Sequence, residues 1–343
     1  MKDVAKMARV SVSTVSHVLN GTRRVSEETR NTVLATIEEL GYQPNLLAKG
    51  LKTQKTFTVG LLISDIQNPS FTSVVRGIED VALRQGYHLF LCNTDEDAER
   101  EDEYLRELAK KQVDGLIVAS AASRQNRALR LKIQGIPFVF MDREVERVEA
   151  DVVRVDNRLG MKLIADHLVG LGHRRIGMIS GPLDKASGHE RYCGLRTALA
   201  NWAVDLEDSL VRFGDFKTSS GRVGARALLG ISSPPTALVT ANNQMTLGAL
   251  LEIQQMGFRV PEDISVVGFD DTEWAPLANP PLTALGQPTY EMGEKAMRLL
   301  LSRIEGGEEK KPEKILLEPW LMVRKSTSPL NAMAGAGEGV REI

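Results

Sequence analysis

An α/β chain with a separate helical headpiece is the fold class this sequence predicts: a three-helix helix-turn-helix unit, a hinge helix, and a core of two doubly wound parallel-sheet subdomains. Three observations predict it. Residues 3–20 hold two short helical patterns across a connection too short for anything but a turn. From residue 57 onward, short apolar runs alternate with amphipathic stretches. Charge is divided between the two parts: residues 1–56 hold nine Lys/Arg against five Asp/Glu, a balance of +4, and the remainder sums to −6.

Val4, Ala5 and Ala8 form the inner face of the first helix, and Val15, Val18 and Leu19 that of the second. Arg9-Val10-Ser11 makes the turn, with Ser11 placed to cap the second helix. That helix keeps a polar face of Ser13, Thr14, Ser16 and His17, small hydroxyls and an imidazole that can reach base edges in a major groove. An ordinary helical hairpin is the alternative for these residues alone. A third helix starts after Ser26, with Glu27 and Glu28 in its first turn. Val33, Leu34, Ile37 and Leu40 recur in it at helical spacing up to Gly41. Asn45 then caps Leu46 to Leu51, a stretch too short to be stable alone in water and weakened by Gly50. Leu47 and Leu51 lie one turn apart on a face with Ala48, which suits pairing with a second copy; a plain linker is the alternative.

In the core, the strands predicted are 59–63, 88–91, 115–118 and 138–141, then 176–179, 210–213, 237–240 and 264–267. Helices are predicted between them at 71–84, 99–111, 159–171, 190–200, 220–229 and 245–256. Regular alternation with apolar strands argues for parallel sheets covered on both faces. Two such sets, each of domain size, argue for two subdomains. Polar pairs follow three of the strands: Asp142-Arg143, Asn242-Asn243 and Asp270-Asp271. A carboxylate at such a strand end can accept two hydrogen bonds from vicinal hydroxyls, although helix capping or loop chemistry would also place one there. The Gly/Ala-rich residues 331–339 lie in an expected disordered tail, 327–343.

Composition excludes several classes. The apolar fraction of 42% suits a soluble protein, and no run approaches the roughly 18 apolar residues of a membrane span. No apolar signal segment opens the chain, so a cytoplasmic location is expected. Cys92 and Cys193 have no metal-ligand or disulfide spacing. Phosphate-loop, dinucleotide, nucleophile-elbow and zinc-protease motifs are missing, and the five histidines are scattered. Asp270-Asp271 has no third ligand at sensible spacing, so no metal, cofactor or catalysis is expected. A transport-type binding protein is the other alternative for the core; the headpiece and the missing signal speak against it.

The segment Gly41-Tyr42-Gln43-Pro44-Asn45-Leu46-Leu47-Ala48-Lys49-Gly50-Leu51-Lys52, read with the headpiece before it, resembles the LacI/GalR family of bacterial transcription regulators. The resemblance runs from Lys2 to about Ser326. It implies a headpiece at 1–43, a hinge at 44–56 and a periplasmic-binding-protein-like core at 57–326. Its crossings fall near Val155-Asp156, Ala284-Leu285 and Lys314, giving subdomain 1 as 57–155 with 285–313 and subdomain 2 as 156–284 with 314–326. It implies a repressor acting as a homodimer on near-palindromic operator DNA, controlled by a small, sugar-like polar metabolite in the cleft. Base reading would fall to Val12, Ser13 and His17, phosphate contact to Arg23, a minor-groove wedge to Leu51 and backbone proximity to Lys52.

For the effector, the resemblance implies contacts from Asp142, Asn242 and Asp270, and from Ser187, His189 and Arg191 at a helix start. His189 departs from the arginine common there, and Asn243 from a more usual acid. Phe71, after Asn68-Pro69-Ser70, and Trp274 are the candidate stacking platforms for apolar sugar faces. Relatives also carry a capping hydroxyl ahead of the first helix, where this chain has Met1-Lys2-Asp3.

Overall fold

The computed structural model describes residues 1–20, 23–42, 55–121, 135–145, 148–306 and 311–330. The chain divides into two compact units, Met1–Thr56 and Phe57–Ile343.

The first unit holds α1 (Lys2–Met7), α2 (Val12–Asn20) and α3 (Glu27–Glu39). Met1 heads α1 without a side-chain cap. Arg9, at φ 52°, turns the chain. Ser11 Oγ then accepts from Thr14 N–H at 3.0 Å, the cap expected for α2 and worth about 1 kcal/mol. Ser26 Oγ caps α3 by accepting from Thr29 N–H at 3.4 Å. Val4, Ala5, Ala8, Val15, Val18 and Val33 make the core, with Leu19 and Ile37 partly buried beside it. Leu34 and Leu40 do not join them: they are 45% and 43% exposed. A helix advances about 100° per residue, so Leu34 points away from the face of Val33, and Leu40 is the C-cap. Thr36 is buried in their place, its hydroxyl donating to Thr32 O at 2.8 Å. The hinge stretch Leu46–Leu51, including Ala48 and Leu51, and Lys52 beyond it lie outside the described residues.

Among the described residues, the second unit contains two six-stranded sheets. One uses β1 (Thr58–Ile63), β2 (His88–Asn93), β3 (Gly115–Val118), β4 (Phe138–Met141), β5 (Asp151–Val155) and β11 (Lys314–Leu317), in the order β11-β5-β4-β3-β1-β2. The other uses β6 (Ile176–Ser180), β7 (Val211–Phe213), β8 (Ala237–Thr240), β9 (Ser265–Phe269), β10 (Thr283–Gly286) and β12 (Trp320–Met322), in the order β12-β10-β9-β8-β6-β7. Only β10 with β12 is antiparallel among the described pairs. Around the first sheet lie α4 (Pro69–Arg84), α5 (Ala98–Lys110) and α10 (Thr289–Gly306); α6 (Asn157–Gly170), α7 (Ala186–Ala200), α8 (Thr218–Leu229) and α9 (Asn243–Gln255) belong to the second. Central strands such as β3, β4, β6 and β8 are buried along their whole length, because helices cover both faces.

Among the described residues, three segments cross between the sheets. The first joins β5 to α6 and the second β10 to α10. The third differs: Lys314–Leu317 pairs with β5 in the first sheet, Lys314 against Val152, so the chain crosses at Glu318-Pro319 and not near Lys314. β5 is also absent from the strands expected. Asp151 and Arg154 interrupt its apolar pattern, and both are absorbed by ion pairs, Asp151 with Arg303 and Arg154 with Glu190.

Residues 327–330, expected to belong to the tail, are held on the second subdomain. His167 Nε2 is 3.0 Å from Thr327 Oγ1, His173 Nε2 is 3.1 Å from Ser328 O, and Leu330 N–H donates to Leu171 O at 3.0 Å. The remainder, 331–343, lies outside the described residues. No helix among the described residues is long and apolar enough to cross a membrane.

Close packing positions the starts of α8 and α9. A Cβ on Gly221 would sit 2.2 Å from Met245 O, and one on Gly248 2.0 Å from Thr218 O. These glycines let the two helices meet backbone to backbone, which sets their N-terminal residues side by side at the strand ends.

Candidate ligand-binding cleft

Open α/β sheets collect ligands outside the carboxyl ends of their strands, where loops and helix N-termini converge. Here the strand ends of both sheets line one small cavity of about 40 Å³. Asp65 follows β1, Glu96 follows β2, and Asp142 with Arg143 follows β4. From the second sheet come Ser187 and Arg191 on α7, Phe216 after β7, Asn242 after β8 and Asp270 after β9. Gln287, on the second crossing, and Phe71, in the first turn of α4, complete the wall.

Backbone strain is concentrated here. Glu96 (φ 61°), Asp142 (φ 64°), Phe216 (φ 67°) and Asp270 (φ 75°) all adopt the left-handed conformation without being glycine. Each costs about 1 kcal/mol or more, a cost that persists where the surroundings over-determine the geometry.

Arg143 organises one side. Its guanidinium grips Glu96 through two hydrogen bonds, 2.6 and 2.8 Å, and its Nε donates to Ser187 Oγ at 2.9 Å. It also lies 5.2 Å from the centre of the Phe216 ring. Burial would raise the Glu96 carboxyl, but Arg143 outweighs it and holds the pKa below the ordinary carboxylate range. Burial likewise pulls the Arg143 pKa down, and Glu96 more than offsets this, so the guanidinium stays charged.

Arg191 organises the other side. Its Nε donates to Asn157 Oδ1 at 2.8 Å, one Nη donates to Ala241 O at 2.6 Å, and the group lies 3.6 Å from the Phe269 ring centre. Burial lowers its pKa, only partly countered by Asp270 and Asp142. Asn242 is the N-cap of α9: its Oδ1 accepts from Met245 N–H at 2.9 Å and its Nδ2 donates to Phe216 O at 2.9 Å. Asp270 Oδ2 accepts from Asn243 N–H at 3.2 Å and Nδ2 at 3.1 Å, while Oδ1 accepts from Gln287 Nε2. Burial pushes the Asp270 carboxyl pKa up, against Arg191. Gln287 Oε1 is buried and has no hydrogen-bond partner among the described residues.

A Cβ on Gly181 would fall 2.2 Å from the Phe216 ring. The aromatic wall therefore depends on a bare backbone directly after β6.

Of the effector residues expected from the sequence, Phe71, Asp142, Ser187, Arg191, Asn242 and Asp270 come together in this cavity. Two do not. His189 is exposed on α7, with Nε2 3.6 Å from Cys193 Sγ. Ser187 and Arg191 are one turn apart and face the cavity, and His189, two residues on, is rotated about 200° away. Trp274 instead heads the short turn Ala275–Leu277, packs partly buried on the second-sheet core and lines a wider outer groove with Arg76 and Leu277.

Arg143, Glu96, Phe216 and Gln287 were not among the expected contacts. The first two stand in polar strand-end runs visible in the sequence, Asp142-Arg143 and Asn93-Thr94-Asp95-Glu96. Phe216 and Gln287 carry no such local signal.

In the headpiece, Val12 and Ser13 are exposed at the start of α2, with Thr14, Ser16 and His17 half-buried along the same helix and Arg23 exposed after it.

Comparison with known proteins gives two family matches. Residues 1–45 match bacterial regulatory proteins of the lacI family, and residues 165–327 match the periplasmic binding protein-like domain. The chain is 40% identical over 333 residues to the HTH-type transcriptional repressor PurR of Aliivibrio salmonicida, covering 96% of this chain and 99% of that one. It is 38% identical over 326 residues to the ribose operon repressor of Haemophilus influenzae, covering 95% and 98%. Among solved structures, the lac repressor dimer bound to operator and the anti-inducer ONPF superposes with a TM-score of 0.84 at 31% identity, covering 95% of this chain and 98% of that one.

Proposed function

The chain belongs to the lacI family of bacterial regulatory proteins, and from that premise we propose that its cleft takes a ribose-type sugar as effector. The protein is a DNA-binding transcription repressor controlled by a small molecule. Its working form in this reading is a cytoplasmic homodimer on a near-palindromic operator, with α2 of each headpiece in a major groove and Val12, Ser13 and His17 towards the bases. The core binds its ligand and does not transform it.

The observation that carries the sugar reading is the wall of the cavity. Carboxylates of Asp142 and Asp270 and the unpartnered Gln287 Oε1 accept; the buried guanidinium groups of Arg143 and Arg191 donate. A hydroxyl both donates and accepts, so vicinal hydroxyls satisfy such a mixed wall, while Phe71 and Phe216 offer apolar faces to the ring. The 38% identity to a ribose operon repressor supports the same class.

Calorimetric titration of the full chain with D-ribose, D-glucose and hypoxanthine tests this. Saturable binding of D-ribose at one site per chain is expected, with the other two at least tenfold weaker. Tighter binding of the base or the hexose would overturn the assignment.

A further inference from the structure

Lys217 lies just outside the cavity, one residue past Phe216 and directly before α8. Its backbone is fixed on both sides: its N–H donates to Asp215 Oδ1 at 3.0 Å, and its carbonyl accepts from Ser220 Oγ at 2.9 Å. From there the side chain leaves the second subdomain and ends between two carboxylates of the first. Nζ donates to Asp65 Oδ2 at 2.9 Å and to Asp95 Oδ1 at 2.7 Å. Asp65 and Asp95 follow the neighbouring strands β1 and β2, so one ammonium ties two strand ends to the opposite sheet. Asp65 is held in turn by Gln67 N–H, which donates to its Oδ1 at 2.9 Å.

We propose that Lys217 is the lock of the cleft, a positioning residue that sets effector affinity by holding the two subdomains closed without touching the effector. This rests on reading the cleft as the effector site. Arg143 to Ser187 also bridges the subdomains, but within the cavity wall, where closure and ligand compete for the same donors; Gln244 to Gln67 O and Arg154 to Glu190 cross outside it, and of these outer bridges Lys217 alone ties two strand ends with one charge. The Lys217–Asp95 pair is free of that competition, while Asp65, the second partner, also lines the cavity. Burial lowers the Lys217 pKa, but Asp95 and Asp65 outweigh it and hold it above the ordinary value, while Lys217 holds Asp95 below its own. The bridge is therefore charged at neutral pH. Its side chains are 33%, 10% and 48% exposed for Lys217, Asp65 and Asp95, so salt screens it in part. A ligand that binds only the closed form has its apparent affinity scaled by the fraction closed, so weakening the lock weakens binding at unchanged contacts.

The test uses the full chain with Cys92 and Cys193 replaced by serine and spin labels at Ile66 and Leu183, both exposed and on opposite subdomains. In Lys217→Met and in Asp95→Asn, D-ribose affinity falls about tenfold, the usual scale for coupling through a conformational equilibrium. Each variant widens the label distance in the absence of sugar, and Lys217→Arg restores both readings. The double variant is no weaker than Lys217→Met alone, since both act on one bridge. Unchanged affinity and distance in Lys217→Met would overturn the proposal. If the parent takes up no D-ribose, a wider distance in Lys217→Met still supports the lock, while the sugar reading alone falls.

Discussion

Asp142 and Asp270 sit at matching strand ends of the two sheets, each held in a left-handed backbone conformation, and each shares the cavity with a buried arginine. Around them the decisive chemistry is carried by pairs. Glu96 keeps Arg143 charged and aimed, and Gln287 and Asn243 fix the Asp270 carboxylate. Phe216 is placed by what is missing opposite it. Gly181→Ala inserts a methyl 2.2 Å from the ring, and overpacking of this kind costs about 1–3 kcal/mol. The ring can move only towards the cavity or force the strand end apart, so D-ribose affinity is expected to fall about tenfold or more while headpiece binding to DNA is retained. Calorimetry beside a DNA retardation assay checks both halves; full sugar affinity in Gly181→Ala would show that Phe216 is not part of the wall. At this scale the sequence was readable where a polar residue follows an apolar strand, as with Asp142, Asn242 and Asp270. It was unreadable where placement depends on partners far along the chain. Phe216 is defined by Gly181, Gln287 by Asp270, and the direction of His189 by the helical phase of Ser187 and Arg191.

Elements follow the same division. Strands β3, β4 and β8 were delimited from their apolar runs because they are buried on both faces and bounded by polar residues. β5 and β11 escaped or were misplaced because their polar residues are satisfied by distant ion pairs, Asp151 with Arg303 and Lys314 with Glu144. The end of the chain shows a further element hidden from pattern. Residues 326–330 form a strap on the second subdomain, held by His167 and His173, the latter fully buried. Burial lowers the pKa of both imidazoles. The unfolded chain therefore takes up protons first as pH falls below about 6.5, the ordinary histidine value. A group whose folded pKa is depressed contributes full stability above that value and loses it as pH falls towards the folded pKa. The melting temperature of the full chain is expected to drop in this window, and His173→Gln to drop less steeply although it melts lower at neutral pH. Equal slopes for the two proteins would remove the strap histidine from the acid response.

On the scale of the whole molecule, two units share one chain: a small helical headpiece with a balance of +4 over residues 1–56, and a larger core that sums to −6. Phosphate attraction thus acts through the headpiece, and effector chemistry stays in the cleft. Control requires that the ligand favour one of two states of the DNA-binding form, because equal affinity for both would shift nothing. The division was legible in the sequence, through the helical spacing of residues 4–19 and the strand–helix alternation after residue 57. The cleft contacts that hold the subdomains together were not, since Lys217, Asp65 and Asp95 read singly as surface charges.

Selection of binding sites by the full chain from random-sequence DNA, followed by fluorescence anisotropy on the selected site with and without D-ribose, tests headpiece and cleft together. One enriched near-palindrome is expected, with half-sites about one helical turn apart. D-ribose is expected to change the affinity for that site by about 5-fold to 150-fold in the parent and to leave it unchanged in Asp142→Ala. No enriched site, or an affinity for it that D-ribose leaves untouched in the parent, would show that the protein is not a repressor controlled by this sugar.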